Sequence, residues 1–466
     1  MAARRLEAAM LARVIDYPSP VRAKIGASIE TLRSALWLLP AIAVLGALVA
    51  GTWLSHVEVT ADRLQPLLFT GGASGARELL STVAGAIITT TGVLFSLTVV
   101  ALQMAAGQYS PRVMRNFLRD RGNQLVLAVF LATFAYAVAV LRMIRDGDQG
   151  AAETVVPSLA VTVGIVLTLM SLGMLVYFIH HITTTIRVEH ILREAVHTTM
   201  GTIASVYGPR SDHPERSLPP VPTDAVEVPA RRTGRLQASA FEGCVGWAME
   251  HDLVVRIRPA IGDVIVEGGV LAWVWCPAPT PAPDDMEPIA QRLDRAVTLG
   301  FERTHQQDVA YGIRQIVDIA VRALSPGVND PTTAVEAIGS LTGILSELAR
   351  RHLGHLLCID DGGILRIALP RPGLAEYISL SCDQIRRYGA AEPAVMEALL
   401  RMLVDIARLA RSDEQRAAVA LQSRLIMQDA DRETAQGEDL HTVRELAGLV
   451  TEALRGRPRP EPTTAA

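Results

Sequence analysis

One apolar stretch of the chain, residues 79–106, carries small and polar side chains at a spacing of seven, so they share one face of a helix. These residues, here called the polar stripe, are Thr82, Gly85, Thr89, Gly92, Ser96 and Gln103. Hydroxyl and amide groups gain nothing from lipid, so the stripe is expected to face protein or water. Two interpretations stay open. One is a seam of close helix packing, and the other is a wall of a polar pathway repeated around an oligomer.

Basic residues follow directly after this stretch. Ser110 and Pro111 suit the start of a helix, with Arg112, Arg115 and Arg119 on one of its faces. These arginines are expected either to meet lipid phosphates at the membrane surface or to line the mouth of a pathway.

A set of acidic and amide residues suggests a binding site nearer the C-terminus. These residues are Asp308, Asp318, Asn329, Asp330 and Glu336. They are candidates for holding a cation or a polar ligand, if the fold brings them together. The competing interpretation is local, because Pro326-Gly327 turns the chain and Asp330-Pro331 is typical of a capped helix start.

Metal, cofactor and catalytic signals are weak. His190, Glu194 and His197 share a helix face and are weak candidates for a divalent metal. The chain has no reactive-serine elbow, zincin motif, Walker loop or Rossmann fingerprint, and its only lysine is Lys24. We therefore expect no enzyme activity and no cofactor.

The elements that position these residues follow from composition. The 466 residues are 50% hydrophobic but only 5% aromatic, and the mean hydropathy is +0.27. Long apolar runs at about 35–54, 79–106, 125–141 and 155–179 predict four transmembrane helices. The net charge of −4 argues against a nucleic-acid partner.

Lys and Arg counts predict the orientation in the membrane. Six precede the first run and four separate the second from the third, whereas the two other connections have two each. By the positive-inside rule, both termini are expected to be cytoplasmic.

The predicted fold is a membrane α-helical region followed by a cytoplasmic α+β region with a small β-module and a helical unit. Residues 1–34 form a cytoplasmic N-terminal segment, 35–181 the four-helix domain, and 182–232 a juxtamembrane helix and Pro-rich linker. The β-module spans 233–276 and a linker 277–288. A helical unit with one β-hairpin spans 289–454, and 455–466 is expected to be a disordered tail.

Three segments carry a resemblance to a known family. They are TVAGAIITTTGVLFSLTVVALQMAAGQYSPRVMRNFLRDRGNQ, RIRPAIGDVIVEGGVLAWV and YGIRQIVDIAVRALSPGVNDPTTA. In this order they resemble the domain-of-unknown-function 2254 family of bacterial predicted membrane proteins, over about residues 30–430. The resemblance implies an inner (plasma) membrane location and no established activity or residue roles.

Two functions remain open from the sequence. The polar stripe favours an oligomeric channel or pore-like transporter, with the lipid bilayer and further copies of the chain as partners and an unknown small ion or ligand. The alternative is a membrane-anchored regulatory or scaffold protein whose cytoplasmic region binds a ligand or partner.

Overall fold

The structure, a computed structural model, describes residues 37–57, 68–108, 120–144, 156–185, 187–209, 217–277 and 285–456. These residues divide into two compact units. The membrane unit ends at Ile191, and the C-terminal unit begins at Leu192.

Four apolar helices build the membrane unit. They are α1 (Leu38–Leu54), α2 (Ala73–Gln108), α3 (Arg121–Leu141) and α4 (Ser158–Thr185). A fifth helix, α5 (Val188–Val206), follows α4 and passes into the C-terminal unit. The predicted arginines Arg112, Arg115 and Arg119 lie outside the described residues.

Three of the described helices, α2, α3 and α4, are long and apolar enough to cross a membrane. The sequence predicted four such helices, and the first prediction corresponds to α1, which is apolar but has only 17 residues. At 1.5 Å per residue, α1 is about 26 Å long, somewhat less than the roughly 30 Å of a hydrocarbon core. Helix α2, with 36 residues, is about 54 Å long and exceeds that thickness.

Small residues and buried hydroxyls join three of the four helices. A Cβ added at Gly51 of α1 would lie 3.0 Å from the Ala139 Cβ of α3. The Tyr136 hydroxyl donates a hydrogen bond to the Ala160 carbonyl at 2.8 Å, and the Thr133 and Ser171 hydroxyls are 3.0 Å apart. These contacts join α3 to α1 and α4, so close packing through small residues does occur within the chain.

The C-terminal unit combines two sheets with a set of helices. Its strands are β1 (Val226–Pro229), β2 (Gly234–Ser239), β3 (Val254–Ile257), β4 (Val264–Ile265), β5 (Val270–Trp275), β6 (Val297–Gly300), β7 (Leu356–Ile359) and β8 (Leu365–Leu369). One sheet has the order β1-β5-β3-β8-β7, and the other has the order β4-β2-β6. Every pairing is antiparallel except β3 with β8.

Eight described helices accompany these strands. They are α6 (Val245–Glu250), α7 (Glu287–Arg295), α8 (Val309–Ala323), α9 (Pro331–Ala349), α10 (Leu374–Tyr388), α11 (Pro393–Leu409), α12 (Asp413–Glu433) and α13 (Gly437–Arg455). Helix α5 packs on α8, because a Cβ added at Gly312 would collide with the Thr199 side chain. Gly312 therefore allows the two helices to approach closely.

The sheets cross the predicted boundary between β-module and helical unit. Strand β8 pairs with β3, as in the contact of Ile367 with Val255, and β6 pairs with β2. The segment 289–454, predicted as a helical unit with one β-hairpin, also contains β6, and β1 lies in the predicted linker. Local patterns identify a strand, but not its partner more than 100 residues away.

Candidate functional sites: a polar helix face and an enclosed cavity

The polar stripe lies on a face of α2 that the other described residues do not cover. Thr82, Gly85, Thr89, Gly92, Ser96 and Gln103 are all exposed. The residues of α2 that pack against α3 and α4 are different ones, including Leu80, Ile87 and Leu94, which are at most 7% exposed. Among the residues that the structure describes, none therefore packs closely on the stripe.

The glycines of the stripe have open space beside them. A Cβ added at Gly85 or Gly92 would meet no atom within 4 Å, in contrast to Gly51. The Thr89 hydroxyl donates to the Gly85 carbonyl at 2.8 Å, so its proton is used within the helix while its oxygen can still accept. The glycines of the stripe therefore do not serve to bring α2 close to another described helix.

A second polar cluster in the membrane unit lies at the start of α3. Asp120 caps this helix by accepting from the Gly122 N–H at 2.8 Å, and it also pairs with His181 of α4. Asn123, three residues after Asp120, is 2% exposed, and neither its Oδ1 nor its Nδ2 has a hydrogen-bond partner among the described residues. The sequence interpretation missed this cluster, although Asp120 before an apolar run is a helix-start signal.

The predicted acidic set does not form one site. Asp308 caps the start of α8 and Asp330 caps the start of α9. Because α8 has 15 residues, its two ends are about 22 Å apart. Asn329, just before α9, and Glu336, within α9, are exposed, and Asp318 is half-buried within α8.

Asp330 has the local role that the alternative interpretation gave it. Its carboxylate accepts from the Thr333 hydroxyl at 2.6 Å and from the Thr333 N–H at 3.1 Å. These hydrogen bonds lower the pKa of Asp330. Asn329 adopts a left-handed backbone conformation, with φ 50°, in the turn before it. The turn and the cap explain these residues without a ligand.

The candidate metal ligands are exposed side chains on α5. His190, Glu194 and His197 all face outward. Among the residues that the structure describes, no three His, Cys, Asp or Glu side chains are grouped so that they could hold a metal ion.

The C-terminal unit contains a cavity that the sequence did not predict. Its volume is about 30 Å³, and it is lined by the end of α5, the start of α8, the turn at Ile261 and the segment that joins β8 to α10. We call it the junction cavity. Its polar side chains are Tyr207, Gln307, Asp308, Arg371 and Tyr377.

An ion pair fixes one wall of the junction cavity. Arg303 Nε and Nη2 donate to the two Asp308 carboxylate oxygens at 2.6 and 2.7 Å, and Asp308 is 3% exposed. Gly262 lies against this pair and has a φ of +96°. A Cβ added at this residue would lie 2.7 Å from Asp308 Oδ2, which is too close. A side chain at residue 262 would therefore strain the turn and collide with the pair.

Two buried tyrosines form the opposite wall. The Tyr207 and Tyr377 hydroxyls are 2.8 Å apart. Burial raises the pKa of Tyr207 to about 12 and raises that of Tyr377 well above its usual value. Arg371 donates to the Val206 carbonyl at 3.3 Å and to Glu242 at 3.1 Å. Tyr207 lies more than 160 positions before Arg371 and Tyr377, so no local pattern could have grouped these three residues.

The raised pKa of Tyr207 predicts a loss of stability in alkali. A tyrosine in the unfolded chain ionises near pH 10, whereas Tyr207 in the folded chain stays neutral until about pH 12. The contribution of Tyr207 to the free energy of unfolding is therefore constant below pH 10 and falls as the pH rises toward 12. A shift of about two units corresponds to a loss of roughly 3 kcal/mol. The unfolding midpoint of the Tyr207→Phe variant should therefore fall less steeply from pH 10 to 12. Tyr388→Phe, at a residue 59% exposed, should follow the wild type, and equal slopes for all three proteins would contradict the prediction.

Three long apolar helices followed by an α+β unit define a membrane protein with a large additional domain. The chain belongs to the family described as predicted membrane protein (DUF2254), whose model matches residues 33–405. It is 38% identical over 445 residues to the uncharacterized proteins Rv1290c of Mycobacterium tuberculosis (strain H37Rv) and Mb1321c of Mycobacterium bovis. Each alignment covers 94% of this chain and 84% of the relative. No solved structure matches the chain.

Proposed function

We propose that the chain assembles in the membrane into an oligomeric channel or pore-like transporter, in which the polar stripe of α2 lines a pathway for ions or small solutes. The observation that carries this proposal is the exposure of all six stripe residues in the single chain. Hydroxyl, amide and backbone groups exposed at this depth favour water or another copy over lipid.

The proposal includes α1 as a fourth crossing. Its 17 residues need only slight thinning of the bilayer or support from flanking residues, at a cost of a fraction of a kcal/mol per Å. Its close contact with α3 at Gly51 supports this position. With four crossings and the observed distribution of arginines, both termini would be cytoplasmic.

Flux through liposomes that contain the purified chain tests this function. The combined variant Thr89→Val, Ser96→Ala and Gln103→Leu removes the polar groups while nearly keeping side-chain volume. We expect it to reduce flux at least about tenfold, which corresponds to a barrier raised by roughly 1.4 kcal/mol, or to change its selectivity.

The matched control is Thr91→Val on the same helix. Thr91 is 8% exposed and its hydroxyl donates to the Ile87 carbonyl, so this variant loses a hydroxyl on the packed face only. Its flux should stay close to that of the wild type. A wild-type chain that passes no ion current or solute, with or without membrane tension, would contradict the proposal.

The second candidate function is a membrane-anchored regulatory or scaffold protein. The observation that favours it is the junction cavity of the C-terminal unit, whose largely apolar lining includes Tyr207, Asp308 and Arg371. In such a protein the membrane helices act as a tether, so the stripe variant should leave its activity unchanged.

A further inference from the structure

The junction cavity presents hydrogen-bond donors to its interior. Its acceptor side chains are already engaged, because Asp308 accepts from Arg303 and from the Tyr311 N–H at 2.9 Å. Gln307 is also engaged, since its amide forms two hydrogen bonds with the backbone of Ser239. A ligand in the cavity therefore meets few free acceptors.

The donors come from three directions. The N–H groups of Val309 and Ala310 lie in the first turn of α8, where no intrahelical acceptor exists. Arg371 has five N–H groups and uses two of them for the Val206 carbonyl and Glu242. The helix dipole of α8 adds a partial positive charge at this end.

The two tyrosines supply a further donor. One hydroxyl proton is shared between Tyr207 and Tyr377 at 2.8 Å. The Tyr207 hydroxyl also points to the Pro372 carbonyl at 3.3 Å, which is long for a bond of this type. That proton is therefore available to a stronger acceptor in the cavity.

We propose that the junction cavity binds a small inorganic or carboxylate anion, held by Arg371, the first-turn N–H groups of α8 and the Tyr207 hydroxyl. A cavity of about 30 Å³ has room for about two water molecules, so it suits an anion of the size of chloride or formate. Arg303 and Arg371 are each paired with a carboxylate, Asp308 and Glu242, so the charges of the two pairs balance. The preference for an anion therefore rests on the remaining N–H and O–H donors that line the cavity.

The test measures thermal unfolding of the full chain in detergent at constant ionic strength. Sodium chloride, bromide, formate or sulfate replaces sodium gluconate stepwise, and gluconate and sulfate are too large for the cavity. We expect the unfolding midpoint to rise with chloride, bromide or formate and to reach a plateau, as ligand binding to the folded state requires. Sulfate should have no saturable effect, and the comparison of the other three identifies the preferred anion.

Two variants assign the effect to the cavity. Arg371→Gln combined with Glu242→Gln removes the guanidinium without leaving Glu242 as an unpaired charge, and Tyr207→Phe removes only a hydroxyl. Each should raise the half-maximal anion concentration at least about tenfold, the effect expected for one charge-assisted hydrogen bond. Arg408→Gln, at a side chain 67% exposed, is the control and should behave like the wild type.

Either of two results would overturn the proposal that the junction cavity binds an anion. One is a wild-type midpoint that follows ionic strength alone, with no saturable anion effect. The other is the same saturable effect in both cavity variants, which would place the anion elsewhere. Because the measurement does not involve flux, failure of the channel proposal leaves it intact, and the reverse also holds.

Discussion

Replacement of Asp308 by alanine is expected to destabilise the C-terminal unit by about 3–5 kcal/mol, the usual effect of breaking a buried ion pair from one side. Two losses combine in this variant. The start of α8 loses the cap on Tyr311, and the Arg303 guanidinium, whose side chain is 28% exposed, loses both carboxylate contacts. Urea unfolding of the full chain in detergent, followed through the tryptophans at 247, 273 and 275, measures the change.

Asp330→Ala is the matched control for this prediction. Asp330 caps α9 through Thr333, as Asp308 caps α8, but its carboxylate accepts only from Thr333 and the Thr332 backbone and pairs with no described guanidinium. Loss of a helix cap costs about 1 kcal/mol, so this variant should be much milder. In the double variant Asp308→Ala with Arg303→Met, part of the stability should return because no unpaired charge remains. Equal losses for the two single variants would contradict a stabilising role of the ion pair.

These two aspartates show how far the sequence could predict the C-terminal unit. Asp330 precedes a proline and an apolar helix, a local pattern that correctly indicates a cap. Asp308 has the same role, but its carboxylate also meets Arg303 and the turn at Gly262. Those contacts depend on an irregular segment and on a strand turn more than 40 residues away. The grouping of Asp308 with Asp330 into one site failed because a whole helix separates them.

The junction cavity could not be predicted either, because its lining residues are also distant in the sequence. Tyr207, Asp308 and Arg371 come from the end of one helix, the start of another and a loop after β8. The sequence predicted a juxtamembrane helix, a helical unit and one β-hairpin, whereas the pairing of β8 with β3 brings the hairpin to the first sheet. A single sequence contains no signal for such a pairing, because strand patterns repeat and partner choice depends on the whole core.

The sequence predicted more of the membrane unit than of the C-terminal unit. Apolar length identified all four helices of the unit, and the spacing of seven grouped the polar stripe on one face of α2. It could not decide what that face meets, because packing seams and pathway walls share the same residue types. Within the described residues, Ser96 on the stripe is exposed and Thr91 on the opposite side of α2 is buried. The open point is whether the stripe contacts another copy of the chain.

Cross-linking between copies of the chain should therefore differ sharply between two positions of α2. With a bifunctional thiol reagent carrying a short spacer, the Ser96→Cys variant in membranes is expected to be converted mostly to covalent oligomers. Thr91→Cys and the wild type should stay monomeric. Thr91 is 8% exposed, and the native Cys244, Cys276, Cys358 and Cys382 are at least partly buried. Gel electrophoresis under non-reducing conditions measures the oligomer fraction.

The Ser96→Cys variant also distinguishes the two possible roles of the stripe, a pathway wall and a packing seam between copies. A disulfide needs its two Cβ atoms within roughly 3.5–4.5 Å, so oxidation without a spacer should join Ser96→Cys chains only where two α2 helices pack directly. Around an open pathway the facing positions are further apart, and only the spacer reagent should join them. We expect cross-linking with the spacer and little direct disulfide. Efficient disulfide formation would instead identify the stripe as a packing seam between copies, and no cross-link with either reagent would contradict the oligomer itself.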